Sequence, residues 1–318
     1  MAGKWTAQDI PDQHGRTAVV TGANSGLGLA TARELARGGA HVVLACRSEQ
    51  RGAAALAQLR EAVPDADVEL APLDLGDLAS VRAFAEWFAS EHDGLDVLVN
   101  NAGIMAVPKA TTADGFESQI GTNHLGHFAL TGLLLPSLLA RPQARVVTVS
   151  SVAHRMGSIK LDDLNSERRY QRWLAYGQSK LANLVFTFEL QRRAAAAGLD
   201  LSAIAVHPGY SSTNLQTAGK SGLLDRLYAP IGNLLLAQSA DQGAWPSLYA
   251  ATMPDVPGGA FIGPDGIGEV RGHPHVVTAR RAAYDPDTGR RLWELSEQLT
   301  GVHYPFEATP AASEASST

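Results

Sequence analysis

From Arg16 onward, short runs of consecutive apolar residues alternate with longer segments whose apolar positions recur at helical spacing. The runs AVV, HVVL, VLV and RVVTV contain almost no polar residue, the pattern of strands buried on both faces. They predict strands at Thr17–Thr21, His41–Cys46, Asp67–Ala71, Leu95–Asn100, Arg145–Ser150 and Leu201–His207, with a weaker seventh near Ala260–Gly263. Between them the spacing predicts helices over Gly28–Arg37, Arg51–Ala62, Leu78–Ser90, Thr122–Ala140 and Leu174–Ala197. Strands and helices in regular turn form a parallel sheet with right-handed crossovers. The expected fold class is therefore α/β: a doubly wound parallel sheet of about seven strands, with helices on both faces.

No internal repeat or linker divides the chain, so residues 1–306 are expected to form a single domain. The stretch Ser211–Gln242 lacks strand alternation and reads as a helical insertion after the sixth strand. The end, EATPAASEASST over residues 307–318, is small and polar and is expected to be disordered.

Composition narrows the partners. A net charge of −6 and a pI near 5.9 leave no basic face for a phosphate backbone, so nucleic acid is not expected. The single cysteine, Cys46, rules out an internal disulfide and fits a reducing compartment. Its neighbours Val42, Val43, Leu44 and Ala45 suit a small buried hydrophobe. The apolar stretches near Leu133–Leu139 and Leu234–Ala237 fall far short of the roughly 20 residues of a membrane span. The beginning of the chain shows no export signal, so a cytoplasmic protein is expected, with lipid contact through the second stretch left open.

In such a sheet a ligand binds outside the carboxyl ends of the strands. The stretch Thr21-Gly22-Ala23-Asn24-Ser25-Gly26-Leu27-Gly28 lies there, between the first strand and the first helix. Backbone N–H groups of Asn24, Ser25 and Leu27, together with the helix dipole, suit a pyrophosphate. Gly22 permits the tight turn, Gly26 the approach of the ligand and Gly28 close packing of helix on sheet. Further along, Tyr176-Gly177-Gln178-Ser179-Lys180 places a phenol and an ammonium one helical turn apart. A phenol of pKa about 10 needs such a cation to exchange protons near neutrality. Taken alone, however, the spacing also fits two ordinary residues on a helix surface.

The glycine spacing is TGxxxGxG, and here the chain resembles the short-chain dehydrogenase/reductase superfamily, which has a Rossmann fold. Other motifs join in the same order: Asp74-Leu75, Asn100-Asn101-Ala102-Gly103, Asn123, Ser151, Tyr176 with Lys180, and Pro208-Gly209. The resemblance spans Arg16 to Gly209. It implies that Asp74 and Leu75 meet the adenine edge of a nicotinamide dinucleotide, while Asn101, Ala102 and Gly103 wall the nicotinamide and ribose. Beyond Pro208 and Gly209, Thr213 would reach the carboxamide. Catalysis would rest on Tyr176 as proton donor and acceptor. Lys180 would lower its pKa and hold the ribose hydroxyls, Ser151 would bind the substrate oxygen, and Asn123 would hold a water that links Lys180 to solvent. The implied reaction is reversible hydride transfer between a small-molecule carbonyl and its alcohol.

The segment VAHRMGSIKLDDLNSERRYQRWLA makes the Ser151–Tyr176 interval longer than in compact members. With TGANSGLG, ACR, NHLGHF, SKLAN and VHPG, it is similar to the retinol-dehydrogenase-like branch, as is Arg291-Leu292-Trp293-Glu294 followed by a helix and Gly301. Retinoid activity does not follow, because substrates diverge widely on one scaffold. Relatives pair their long helices between subunits, which implies a homodimer or homotetramer.

The second strand ends in Cys46-Arg47-Ser48, where an acid would favour NAD(H); the nearest acid is Glu49. Arg47 can instead clamp a 2′-phosphate, helped by Ser48 or Arg51, so NADP(H) is the expected cofactor. The stretch LLDRLYAPIGNLLLAQ reads equally as a lid over a lipophilic substrate or as an amphipathic helix. His273-Pro274-His275 reads as loop, without a third ligand at usable spacing, and no metal is expected. His127 is expected to pack or to meet a partner subunit. Two other readings compete: a dinucleotide sensor without turnover, which retention of Asn123, Ser151, Tyr176 and Lys180 disfavours, and a sugar-nucleotide epimerase, which the glycine spacing disfavours.

Overall fold

The computed structural model describes residues 4–209 and 239–306. Seven strands pair in parallel: β1 (Thr17–Thr21), β2 (His41–Cys46), β3 (Val68–Pro72), β4 (Val97–Asn100), β5 (Ala144–Val149), β6 (Leu201–Val206) and β7 (Phe261–Pro264). An eighth, β8 (Pro274–Val276), runs antiparallel to β7 and closes the edge, giving the order β3-β2-β1-β4-β5-β6-β7-β8. The His-Pro-His stretch read as loop thus contributes an edge strand, a position that tolerates proline because one side of the strand needs no ladder bond.

Eight α-helices of five or more residues are described: α1 (Gly26–Arg37), α2 (Glu49–Ala62), α3 (Leu78–Glu91), α4 (Gly126–Leu133), α5 (Leu135–Leu139), α6 (Arg172–Ala196), α7 (Ala240–Thr252) and α8 (Pro286–Thr300). The unbroken apolar runs are explained by the two cores they serve. Val19, Val43 and Ala45 face one side, with Phe84 and Phe88 of α3, Phe128 of α4, Phe186 of α6 and Trp293 of α8. Their neighbours Ala18, Val20, Val42 and Leu44 face the other, with Leu35 of α1, Leu59 of α2 and Leu248 of α7. Strand residues alternate between faces, so a sheet covered on both sides needs apolar residues at every position.

The helix expected over Thr122–Ala140 is broken twice. A π-helical turn occupies Gly121–Leu125, and the chain breaks again at Leu134, between α4 and α5, where Pro136 stands at the start of α5. Arg291-Leu292-Trp293-Glu294 lies inside α8 rather than ahead of a helix, and Trp293 packs on Tyr304 at a ring-centroid distance of 4.5 Å. Of the stretch read as a helical insertion, residues 239–242 are described: Ser239 caps α7 and residues 240–242 open it. The rest of that stretch, Thr213 and the 307–318 end lie outside the described residues. Pro246 and Gly243 hide α7 from a periodicity search, but its packing against α1 and β5 overrides their low helix propensity. Arg145, buried at the start of β5, donates to the Ala250 carbonyl at 3.0 Å and to those of Pro254 and Val256, securing the end of α7.

Cys46 is buried, and burial pushes its thiol up to about 11, so it is an inert core residue. Among the described residues no helix is long and apolar enough to cross a membrane. The chain reverses its winding at β1, whose neighbours are β2 and β4, and the crevice outside their carboxyl ends is where this topology places a ligand.

Candidate active site

The glycine loop leaves β1 through Gly22 and Gly26, both at positive φ (66° and 56°). A Cβ at Gly28 would stand 2.5 Å from the Gly22 carbonyl oxygen and from Asn101 Nδ2, so only glycine lets α1 sit against this turn. Ser25 precedes α1 in an extended conformation without a side-chain capping bond, so its hydroxyl takes up none of the first-turn N–H groups.

Thr21, the residue before the glycine motif, organises the neighbouring loop, a role not apparent from the sequence. Its hydroxyl oxygen accepts from the Asn101 and Ala102 amides at 3.0 and 2.9 Å, and its carbonyl accepts from Asn101 Nδ2 at 2.7 Å. His127 Nε2 lies 2.9 Å from the same hydroxyl, while Nδ1 lies 3.0 Å from the Asn123 carbonyl. The Asn123 carbonyl can only accept, and the hydroxyl's other acceptor, the Val99 carbonyl, is farther off at 3.4 Å, so the hydroxyl gives its hydrogen to Nε2. Nδ1 then carries the ring proton and donates to the carbonyl. Burial holds the imidazole neutral, with its pKa pushed down to about 4. His127 therefore lies in the interior, joining the glycine loop to the π-helical turn, and does not face a partner subunit.

Asn123 sits within that π turn. Its Oδ1 accepts from the Ile104 amide at 2.8 Å, and its Nδ2 donates to the Ile104 carbonyl and to Ser179 Oγ, each at 2.9 Å. Both side-chain donors and the main-chain carbonyl are thus engaged with protein, and Asn123 acts here as a clamp between α6 and the loop after β4.

Every residue of the Tyr176–Lys180 stretch has a structural assignment. Tyr176 is buried, with the Ser151 side chain beside its phenol. Gly177 lies against Gly157 so closely that a Cβ on Gly157 would stand 2.2 Å from the Gly177 carbonyl oxygen, bringing the turn after Ser151 onto the helix beside Tyr176. Gln178 ties down the long intervening segment, accepting from the Lys160 amide at 3.1 Å and donating to the Leu164 carbonyl at 2.9 Å. Ser179 donates to the Tyr176 carbonyl at 2.8 Å while accepting from Asn123. Lys180 Nζ lies 5.9 Å from the Tyr176 ring centroid and donates to the Val149 carbonyl at 3.0 Å. Ser150 is the structural serine of the pair, donating to the Lys180 carbonyl at 2.7 Å.

The expected lowering of the Tyr176 pKa is not present in this arrangement. Burial pushes it up to about 12, offset only in part by the neighbouring Ser151 hydroxyl. Burial also pushes Lys180 down to about 8. Desolvation penalises both charged forms, and the ammonium is engaged by Val149 rather than by the phenol.

A Cβ at Gly103 would lie 3.2 Å from Asn123 Oδ1 and 3.4 Å from Lys180 Nζ, so the backbone after β4 passes against both. At the end of β3, Asp74 Oδ1 accepts from the Gly76 amide at 2.9 Å, and Leu75 is buried beneath the start of α4. At the end of β2, Arg47 is exposed, whereas Ser48 caps α2 and accepts from the Arg51 amide at 3.4 Å. After β6, Gly209 (φ 68°) follows Pro208 and donates to His207 Nδ1 at 3.2 Å. The backbone at Gly103 thus brings Asn123 and Lys180 together, Ser151 and Lys180 flank Tyr176, and the glycine loop, Arg47, Asp74 and Pro208-Gly209 line the same edge of the sheet. His154 was not anticipated: its Nδ1 lies 2.7 Å from the Ser151 carbonyl and steadies the turn that carries Ser151.

The residues present fit a nicotinamide dinucleotide: a glycine turn that admits no Cβ, a helix start free of side-chain capping, and a buried phenol–ammonium pair alongside. Residues 16–222 match the sequence model of the short chain dehydrogenase family. The chain is 42% identical to human retinol dehydrogenase 12 over 296 residues, covering 91% of this chain and 88% of that protein. It is also similar to the crystal structure of an uncharacterized protein from Mycobacterium paratuberculosis, at 53% identity and a TM-score of 0.80, covering 95% of this chain and all of the other. A protein from Beutenbergia cavernae described as an NAD(P)-dependent gluconate 5-dehydrogenase, solved with bound NADP, is 26% identical. Its TM-score is 0.60, and the match covers 76% of this chain and 91% of that one. The order of motifs, the doubly wound sheet and these likenesses agree, and the chain belongs to the short-chain dehydrogenase family, on its retinol-dehydrogenase-like branch.

Proposed function

We propose that the protein is an NADP(H)-dependent oxidoreductase that interconverts a lipophilic carbonyl compound and its alcohol. The observation that carries this reading is the buried Tyr176 phenol, flanked by Ser151 and set one helical turn from Lys180 beside the Gly103 backbone. A nicotinamide cofactor bound along the glycine loop supplies or accepts the hydride. Ser151 and Tyr176 bind the substrate oxygen. Tyr176, protonated at neutral pH, gives its proton to that oxygen in reduction and takes it back in oxidation. Lys180 stabilises the transient phenolate and is positioned by the Val149 carbonyl.

Lipophilicity is supported by the surroundings of Tyr176. Trp173 stands edge-on to it at a centroid distance of 6.3 Å, and Trp173, Leu174 and Met156 are large apolar side chains left exposed nearby. Exposed apolar residues clustered beside a reactive group suit an apolar substrate. A cytoplasmic location and pairing through the long α6 helix belong to the same proposal.

The test is to follow NADPH absorbance with a panel of aliphatic, aryl and polycyclic ketones and aldehydes. Consumption that requires Tyr176 supports the reading; tight NADPH binding without turnover across the panel would favour a sensor. Cofactor choice has its own expected result. Arg47 is exposed at the end of β2, where no acid competes for a ribose hydroxyl, and no hydrogen bond or ion pair ties it to another described residue. Arg47→Asp should lower the NADPH/NADH ratio of kcat/KM at least about tenfold, equivalent to about 1.4 kcal/mol of lost discrimination. An unchanged ratio would refute the NADP(H) assignment.

A further inference from the structure

At the amino ends of β2 and β3, away from the candidate active site, the fold assembles two histidines and a carboxylate from three separate elements. Parallel register sets His41 beside Asp67 and places Glu69 two residues further along the same face. His92 follows α3, the helix packed on that face. His41 Nε2 is 3.0 Å from Glu69 Oε1, and His92 Nε2 is 2.9 Å from the same oxygen. One ligand atom from each of the three residues falls within 4.8 Å of the others.

We propose that His41, Glu69 and His92 bind a divalent transition-metal cation of the Zn2+ type, with Asp67 orienting His41. Two imidazoles and one carboxylate are a donor set suited to zinc and poorly suited to magnesium or calcium, which prefer oxygen alone. His41 Nδ1 lies 2.9 Å from Asp67 Oδ1, so a carboxylate stands beside the second ring nitrogen while Nε2 bonds Glu69 within the cluster. That is the arrangement by which proteins set the tautomer of a metal-ligating histidine. His92 Nε2 is buried and, although close to Glu69, lacks a hydrogen bond with acceptable angles. It converges on the same point as the carboxylate without donating to it, as a ligand does. The His92 ring is fixed by Phe88 and Trp87, at centroid distances of 4.5 and 5.6 Å, and the His41 ring lies 5.3 Å away.

Ligand atoms about 2.0–2.1 Å from a tetrahedral zinc stand about 3.3 Å apart, so the two contacts to Glu69 need to open by only a few tenths of an ångström. The three side chains are 14–35% exposed, which leaves a path for the ion and room for a water as fourth ligand. The ligands are 23 or more positions apart in the chain, so no motif announces them. The cation would clip together β2, β3 and the turn into β4, stabilising the fold without touching the proposed chemistry.

The test uses the full-length, tag-free protein, stripped with EDTA and desalted, then titrated with Zn2+ by calorimetry and melted with and without the ion. Expected are one Zn2+ per chain and a Tm increase of roughly 5 °C at saturation, with no effect of Mg2+. His92→Gln and Glu69→Gln should each weaken binding at least tenfold while NADPH binding is unchanged, and Asp67→Asn should weaken it about tenfold. Co2+ should give the visible absorption of a four-coordinate N/O site in the unmodified chain, a readout that does not depend on the variants folding. Absence of Zn2+ uptake, or uptake unchanged in both His92→Gln and Glu69→Gln, would overturn the proposal and leave the cluster an ion-pair network.

Discussion

Tyr176→Phe is expected to reduce kcat about 10³-fold while the Kd for NADPH stays within about threefold. Loss of a positioned proton donor typically costs 10²–10⁴-fold, and 10³-fold corresponds to about 4 kcal/mol of transition-state stabilisation. Phe preserves the ring volume in a site where Tyr176 is only 7% exposed, so packing is retained. The partner left behind is not stranded, because Ser151 is only half-buried, so its hydroxyl hydrogen can turn to water while Oγ still accepts from the Ala153 amide at 3.2 Å. Steady-state kinetics together with fluorescence titration of NADPH separate the two quantities. Residual turnover above a tenth of the unmodified rate would remove Tyr176 from the proton-transfer role. Loss of NADPH binding in step with kcat would recast it as a cofactor contact.

Lys180→Met is expected to abolish turnover and, at neutral pH, to stabilise the fold. The pKa of Lys180 is pushed down to about 8 from its ordinary value of 10.5 by burial. Between those values the unfolded chain binds more protons than the folded one, so stability rises with pH across pH 8–10.5. Below pH 8 the penalty of burying the ammonium is present in full, on the order of a few kcal/mol. Methionine has similar length and no charge. It also leaves no orphan, because the Val149 carbonyl keeps a donor in Asn183 Nδ2 at 3.1 Å. The variant should therefore melt above the unmodified protein at pH 7, with the gap closing as pH approaches 10. A fall in Tm at pH 7 would mean that the bond to Val149 outweighs the desolvation. The native protein then carries a buried charge at a cost to stability, which is the usual signature of a group kept for function.

Much of the fold follows from local pattern. The strand limits predicted from apolar runs agree with β1 and β2 residue for residue and with the other five parallel strands within two positions. The order of the strands' attached motifs also placed the glycine loop, Asp74, the Asn101–Gly103 turn, Ser151, Tyr176 and Lys180 along one sheet edge. These are legible because each depends on its own stretch: an apolar run can be buried on two faces only as a central strand, and a glycine turn ahead of a helix is a local conformational demand. The π turn at Gly121–Leu125, the edge strand β8 and helix α7 were not legible, because no period or propensity marks them. Each arises where packing overrules the local pattern, as with α7, which keeps its helix through Pro246 because α1 and β5 cover it.

The sequence by itself therefore determined the doubly wound class, the crevice and the identity of the candidate reacting groups. Tertiary structure decided their state. Only in the fold does Thr21 meet His127, does Asn123 clamp Ser179 to Ile104, and do Gly157 and Gly177 touch so that Ser151 reaches Tyr176. The physical reason is that a pKa depends on burial and on partners far away in the chain. The i,i+4 spacing predicts that Lys180 lowers the Tyr176 pKa, yet desolvation raises the phenol to about 12, and the ammonium donates to the Val149 carbonyl.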